Sequence, residues 1–281
     1  MTEPPIRRIL APNPGPLTGP GTNTWAIGTE RVVVIDPGPP IEAHLEAILA
    51  AGRVEAILVT HAHVDHSSLA PDLVARTGAP VLAFGDALAG RSPHMERLAD
   101  LGGGEGTDRD FMPDRSLADG EVIETAAGPI IALHTPGHFG NHMAFAFGDA
   151  VFSGDLVMGW ATTLISPPDG DLAAFRSSCA ALRELAPSIL LPGHGDPVMD
   201  PCARIDALLA HRDMREAQIM AALAEAPGTA AGLAERIYTD VAPHLLPAAA
   251  RNVLAHLVDL TGRGQALAPE GIAEHAVFHP A

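Results

Sequence analysis

Ile57-Leu58-Val59-Thr60-His61-Ala62-His63-Val64-Asp65-His66 is the stretch from which this chain is read. The apolar start predicts a buried strand running out at Thr60. Four side chains able to bind a metal then follow within six residues. His61 and His63 can converge on one ion as the chain leaves the strand, while Asp65 and His66 turn toward a second position nearby. Imidazole and carboxylate suit zinc, and iron or manganese as well, so ligand type does not choose among them.

Four ligands cannot complete two sites, so others are expected just past the ends of further buried strands. The apolar runs Ile130–His134, Ala150–Ser153 and Ser188–Leu191 are followed by Gly137-His138, Gly154-Asp155 and Gly193-His194. Each candidate stands beside a glycine, which permits a tight turn. Singly, a His after a strand is ordinarily a solvated loop residue and Gly-Asp a turn. Four strand exits together point to one site on one rim of the sheets. His44, His94, His211, His244, His256, His275 and His279 have no such context and read as ordinary core or surface residues. His134 and His142 flank the third exit and are candidates to orient its ligand.

Further strands are expected at Trp25–Gly28, Arg31–Asp36, Ala56–Thr60 and Val81–Phe84, with helices over Ile41–Ala51, Ser67–Thr77 and Leu172–Ala186. This alternation predicts an α/β protein with covered sheets. Gly102–Gly106 reads as a mobile loop. After Pro201 the pattern turns helical: Arg204–Ala226, Thr229–Tyr238 and Pro247–Thr261, then a short hairpin in Ala273–His279. Three helices and a small β element suggest a winged-helix-like module, which divides the chain at 1–202 and 203–281.

The 281 residues are 47% hydrophobic, as in globular proteins. No apolar run approaches the roughly 18 residues of a spanning helix, and Met1–Gly21 has no signal-type apolar core. A cytoplasmic protein without membrane attachment is therefore expected. Cys179 and Cys202, the two cysteines, cannot build a disulfide framework. All 17 basic residues are arginine, against 34 acidic ones, for a net charge of −17. Such a field repels polyanions and argues against double-stranded DNA as a partner.

His61-Ala62-His63-Val64-Asp65-His66, with Gly137-His138, Gly154-Asp155 and Gly193-His194-Gly195, resembles the full motif set of the metallo-β-lactamase superfamily. The resemblance implies a four-layer αββα sandwich. It puts His61, His63 and His138 on one metal, Asp65, His66 and His194 on the other, and Asp155 between them. Two divalent ions are implied, zinc first, with manganese or iron as alternatives. Asn13-Pro14-Gly15-Pro16, Gly21-Thr22-Asn23-Thr24, Pro167-Pro168-Asp169-Gly170-Asp171 and His211-Arg212-Asp213-Met214-Arg215-Glu216 narrow the similarity to the β-lactamase-like protein 2 family. That family also ends in a winged-helix-like domain.

The resemblance further implies a hydrolase using a water activated by two metals, with Asp65 orienting that water and taking its proton. Animal members of the family resemble single-strand-specific endoribonucleases, which implies single-stranded RNA or another phosphodiester as substrate. The alternative is a small thioester, ester or lactone, as in glyoxalase-II-like chemistry. That reading is weakened by the lack of lysine and by Tyr238 being the single tyrosine. Antibiotic hydrolysis is disfavoured by the acidic Asp155 and by the missing export segment. A non-catalytic binding or redox protein is a third class, disfavoured because no ligand is missing. Against RNA stands charge: from His211 to Ala281 five Arg face eight Asp and Glu, where a nucleic-acid-binding winged helix should be basic. That region could instead shape the cleft or form a homodimer. Asn13, Asn23 and His142 are candidates for substrate contact, as are Thr22 and Asn141.

Overall fold

In the computed structural model, residues 5–104 and 106–281 are described; Met1–Pro4 and Glu105 of the glycine loop lie outside them. Two sheets face each other. The first joins β1 (Ile6–Leu10), β2 (Asn23–Gly28), β3 (Arg31–Ile35), β4 (Arg53–Leu58), β5 (Val81–Ala83) and β6 (Arg115–Ser116) in chain order. The second runs β11 (Ile189–Pro192), β10 (Ala150–Gly154), β9 (Met143–Phe147), β8 (Gly128–His134), β7 (Val122–Thr125). Alternation along β2, β3 and β4 sends Trp25, Ile27, Val33, Ile35 and Leu58 toward Ile130, Phe145 and Phe152 of the other sheet. These side chains form the central core. Truncating a fully buried Phe such as Phe152 to Ala would cost about 3–5 kcal/mol.

Helices cover the outer faces. On the first sheet lie α1 (Glu42–Leu49) and α3 (Ala70–Thr77), whose apolar stripes meet Val32, Val34 and Ile57, with the single turn α2 (Val64–Ser67) between them. The short α4 (Pro93–Glu96) follows β5. The second sheet is covered by α5 (Leu172–Leu185) and the first half of α6 (Pro201–Glu225), through Phe175, Cys179, Leu182, Ile205 and Leu208. The layers are thus α, β, β, α. Among the described residues no helix is long and apolar enough to cross a membrane.

The second half of α6 joins another core. Ile219 and Leu223 pack with α7 (Ala230–Ile237), a 3-10 turn at Pro243–Leu245 and α8 (Leu246–Gly262). The boundary expected at 202/203 falls in the first turn of α6, a helix shared by both cores. The small β element differs from the expected hairpin in 273–279. Instead β12 (Ala266–Leu267) pairs with β13 (His279–Pro280), and Phe278, fully buried, pairs its backbone with Gly228. Burial of Phe278 sets this register. Just before the glycine loop, the Leu101 carbonyl accepts from Arg251 of α8 at 3.0 Å.

Topology decides where the site falls. β3 and β4 run parallel, as do β10 and β11, and β8 points the same way as β10 because β9 is antiparallel to both. The candidate side chains past these strands, from both sheets, meet at one edge of the sandwich.

Candidate metal centre

At that edge seven side chains converge from four strand exits. Past β4 come His61, His63, Asp65 and His66. Past β8 comes His138, past β10 Asp155, and past β11 His194. His61 Nε2 is 2.9 Å from His63 Nδ1, and His138 Nε2 is 3.1 Å from that same atom. On the other side His66 Nε2 and His194 Nε2 are 3.3 Å apart, and Asp65 Oδ2 is 3.2 Å from His194 Nε2. Asp155 reaches both groups, with Oδ2 at 3.4 Å from His194 and 3.9 Å from His138, and Oδ1 at 3.6 Å from His66.

Backbone packing brings the exits this close. A Cβ on Gly193 would lie 2.5 Å from Asp155 Oδ1 and 2.6 Å from His66 Cε1, so only a glycine leaves room there. Gly137, at φ +147°, lets the start of α5 press on its backbone, where a Cβ would stand 2.4 Å from Phe175 Cα. Asp171 caps that helix, accepting from Ala174 N at 3.1 Å, while its own N–H binds the Gly137 carbonyl.

The remaining ring nitrogens show what the cluster is shaped for. His61 Nδ1 donates to Thr60 Oγ1 at 3.0 Å, His66 Nδ1 to Asp36 Oδ2 at 2.9 Å, His138 Nδ1 to the Leu164 carbonyl at 2.7 Å and His194 Nδ1 to the Gly21 carbonyl at 3.2 Å. These tautomers follow from the acceptors available, since Thr60 Oγ1 already donates to Asp36 Oδ2 at 2.8 Å. Each of the four rings then aims its Nε2 into the cluster. Lone pairs facing one another at about 3 Å repel unless a cation or proton lies between them. Asp155 Oδ1, also buried, has no hydrogen-bond partner among the described residues. Two imidazole-carboxylate groups of this kind fit divalent ions, and oriented outer hydrogen bonds are what such ligands need.

Charge divides the cluster in two. Burial, aided by the neighbouring imidazoles, pushes His61 well below its usual value, His63 down to about 3, and His138 down as well. Burial also opposes protonation of His66 and His194, but the carboxylates win. Asp65, Asp155 and Asp36 raise His66 well above its usual value, and Asp155 and Asp65 raise His194 to about 9. Asp65 and Asp155 are held below the usual carboxylate range against their own burial, with His66 and His194 as the chief causes. One half is neutral and rich in lone pairs. The other is a carboxylate pair that demands positive charge.

Some residues play other parts than expected. Neither His134 nor His142 orients His138: His134 stacks on Phe84 with ring centroids 3.8 Å apart and bonds to the Gly140 carbonyl, and His142 pairs with Thr135 Oγ1 at 2.9 Å. The Leu164 carbonyl holds His138 instead. Of the candidates for substrate contact, Asn23, Asn141 and His142 are fully buried. Asn23 Nδ2 clasps the Pro192 and Gly195 carbonyls at 3.0 and 2.8 Å, fixing the turn around His194. Asn141 Oδ1 accepts from Ala62 N, and its amide donates to the Asp86 carbonyl at 2.9 Å. Asn13 bonds Thr22, whose hydroxyl donates to Asp65 Oδ2 at 3.2 Å. Thr22 and Asn13 thus steady Asp65 from behind.

Asp36 escaped the sequence reading. It is 1% exposed, adopts φ +53° past β3, and accepts from Thr60 N at 2.7 Å, Thr60 Oγ1 and His66 Nδ1. The available signal was a carboxylate at a strand exit followed by Pro37-Gly38, on the strand beside β4.

Similarity to known proteins agrees with this geometry. A family model described as the metallo-beta-lactamase superfamily matches residues 17–194, and one described as the beta-lactamase associated winged helix domain matches residues 229–271. The beta-lactamase-like protein 2 homolog of Drosophila melanogaster is 30% identical over 275 residues, covering 92% of this chain and 89% of its own. The atrochrysone carboxyl ACP thioesterase of Aspergillus chevalieri is 30% identical over 240 residues, 82% of this chain and 69% of its own. Among solved structures, a metallo-beta-lactamase family protein from Thermus thermophilus matches in fold with a TM-score of 0.80 over 98% of both chains, at 24% identity.

Proposed function

The chain belongs to the metallo-beta-lactamase superfamily, and on that premise we propose that it is a dinuclear metallo-hydrolase of thioesters of small or carrier-borne acyl groups. In this reading residues 1–202 carry the chemistry and 203–281 form the C-terminal unit. His61, His63 and His138 hold one divalent ion, Asp65, His66 and His194 the other, and Asp155 lies between. Zinc suits this donor set best, with manganese or iron as substitutes.

One observation carries the choice against RNA. All six arginines beyond residue 202 are committed within the protein. Arg204 donates to the Met158 and Ala161 carbonyls, and Arg212 to the Thr163 carbonyl and Asn252. Arg215 lies over the Tyr238 ring and bonds Gln218, while Arg236 donates to the Ala222 and Ala226 carbonyls. Arg251 holds Ser166 and Leu101, and Arg263 pairs with Glu216 and Asp259. A winged helix that grips phosphates needs such side chains on a basic face. The name of the Aspergillus relative supports a thioester independently. So does Trp160, 46% exposed, which lies against the backbone of Gly19 and Gly195 and sets an aromatic wall beside the His194 turn.

Bound divalent ions would polarise the substrate carbonyl and acidify a water to near neutrality. The chain supplies the rest. Asp65, its side chain 24% exposed against 10% for Asp155, is the more open carboxylate; it orients that water and takes its proton, while Thr22 steadies its Oδ2. Four imidazoles have their second nitrogen committed to outer acceptors and are poor proton donors to a leaving group. A thiolate leaves without one, because thiols ionise at about 8.5.

The test is thiol release from acyl-pantetheine and acyl-coenzyme A esters by zinc-loaded protein in 50 and 500 mM NaCl. Hydrolysis that changes by less than about twofold with salt supports the proposal, since phosphate-dependent binding would fall steeply. No thiol release, with salt-sensitive cleavage of a fluorescent single-stranded RNA instead, would overturn it in favour of a phosphodiester.

A further inference from the structure

The Leu164 carbonyl, which fixes the His138 ring, sits in an irregular segment between β10 and α5. Irregular backbone does not hold a carbonyl in place by itself. Here the C-terminal helices do. From α6, Arg204 donates to the carbonyls of Met158 and Ala161 at 2.7 and 2.6 Å, and two turns later Arg212 donates to that of Thr163. From α8, Asn252 Oδ1 accepts from Ile165 N at 3.1 Å and from Arg212 at 3.0 Å. Arg251, next to it, donates to Ser166 Oγ at 2.8 Å and to the Pro167 carbonyl. The residues on both sides of Leu164 are therefore gripped by one connected set of side chains.

Fold stability alone does not account for this set. Arg212 is 1% exposed, lies 5.3 Å from the centroid of the Phe175 ring, and takes the neutral Asn252 amide and Thr163 carbonyl as its partners. Burial pushes its guanidinium down to about 10. A well-packed apolar side chain commonly fills such a place at lower cost. What an apolar residue cannot do is hold Thr163 and Asn252 in register. Arg251 reaches the other flank too, through the Leu101 carbonyl at 3.0 Å. That loop returns to pair Thr107 with His63 and to bind Val64 N at 2.8 Å.

We propose that Arg212, Arg251 and Asn252 are positioning residues for the metal group of His61, His63 and His138, so that the C-terminal helices act as a strut which aims His138 at its ion. The proposal rests on the metal-centre reading above and deepens it. It gives the C-terminal unit a task that needs neither RNA nor a second subunit.

The test is zinc titration of the full chain against a chromogenic chelator, which resolves two binding steps. Asn252→Leu removes the acceptor shared by Ile165 and Arg212. It should weaken one step about 10-fold or more, the scale seen for outer partners of metal ligands, and leave the other within about twofold. Asn252→Asp keeps the acceptor oxygens and should restore the lost step. Thermal melting of each zinc-free variant reads the fold separately. Two steps as tight as wild type in folded Asn252→Leu, equal loss of both, or no rescue by Asn252→Asp would each overturn the proposal. If Asn252→Leu does not fold, Arg251→Gln, at a partly exposed position of the same clamp, carries the same criteria. A wild-type chain that binds no divalent ion would sink the metal-centre reading itself, and this proposal with it.

Discussion

Asp36→Asn should cripple the centre without touching any residue that faces it. Two oxygens of Asp36 serve three donors: Oδ1 accepts from Thr60 N at 2.7 Å, and Oδ2 from Thr60 Oγ1 at 2.8 Å and His66 Nδ1 at 2.9 Å. An amide has one oxygen. Placed toward Thr60 N, it turns its NH2 on His66, which must then carry its proton on Nε2 and lose the lone pair aimed into the cluster. Placed the other way, it sets NH2 against the Thr60 N–H. Either choice loses one hydrogen bond to a buried charged acceptor, about 1.5–3 kcal/mol. At about 2–4 °C per kcal/mol, the chain should melt about 3–12 °C lower. Zinc affinity should fall about 10- to 100-fold. Asparagine tolerates the φ of +53° at this position, so backbone strain does not confuse the result. Differential scanning fluorimetry of metal-free protein and chelator competition measure the two effects. Wild-type affinity in Asp36→Asn would refute the outer-shell reasoning.

Gly193→Ala should fold but lose metal, because its Cβ would meet both Asp155 and His66 within 2.6 Å; metal analysis after gel filtration reads this directly. His256 is 1% exposed with neither ring nitrogen hydrogen-bonded among the described residues, and burial, with Arg212 and Arg176, lowers it to about 3. It is neutral when folded but protonates near 6.5 when unfolded, so its contribution is present above pH 6.5 and is lost as pH falls toward 3. His256→Leu should therefore be near neutral at pH 7 and more stable than wild type by about 2 kcal/mol at about pH 4.5, as measured by urea denaturation. Loading of the centre at pH 7 should release protons from His66 and His194, both raised above their usual value by Asp65 and Asp155. Calorimetry in buffers of different ionisation enthalpy counts them; release near zero would contradict the assigned charge pattern.

The candidate ligands were legible because side-chain chemistry and chain position coincide: each stands just beyond an apolar run that could only be a buried strand. Elements without such a marker were lost. β1, Ile6–Leu10, carries two arginines inside a proline-rich leader, and β7 exposes Val122 on an edge. β9, Met143–Phe147, is too short and alanine-rich to show a period. Asp36 was read as a strand end because one carboxylate has no spacing to recognise. The Leu164 and Gly21 carbonyls that fix His138 and His194 have no sequence signature at all, since any residue offers a carbonyl. His134 bonds the Gly140 carbonyl, a partner that is equally invisible in sequence. His142 lies beside the third exit, yet its ring turns to Thr135.

Metal content measured alongside hydrolysis tests the central claim most directly. Protein stripped by chelator and reloaded with zinc should take up two ions per chain, and thioester hydrolysis should return with them. Asp155→Ala, which removes the carboxylate lying between the two groups, should hold fewer than two ions and show no turnover. A wild-type chain that hydrolyses thioesters with no ion bound, or an Asp155→Ala chain with two ions and full activity, would contradict the account.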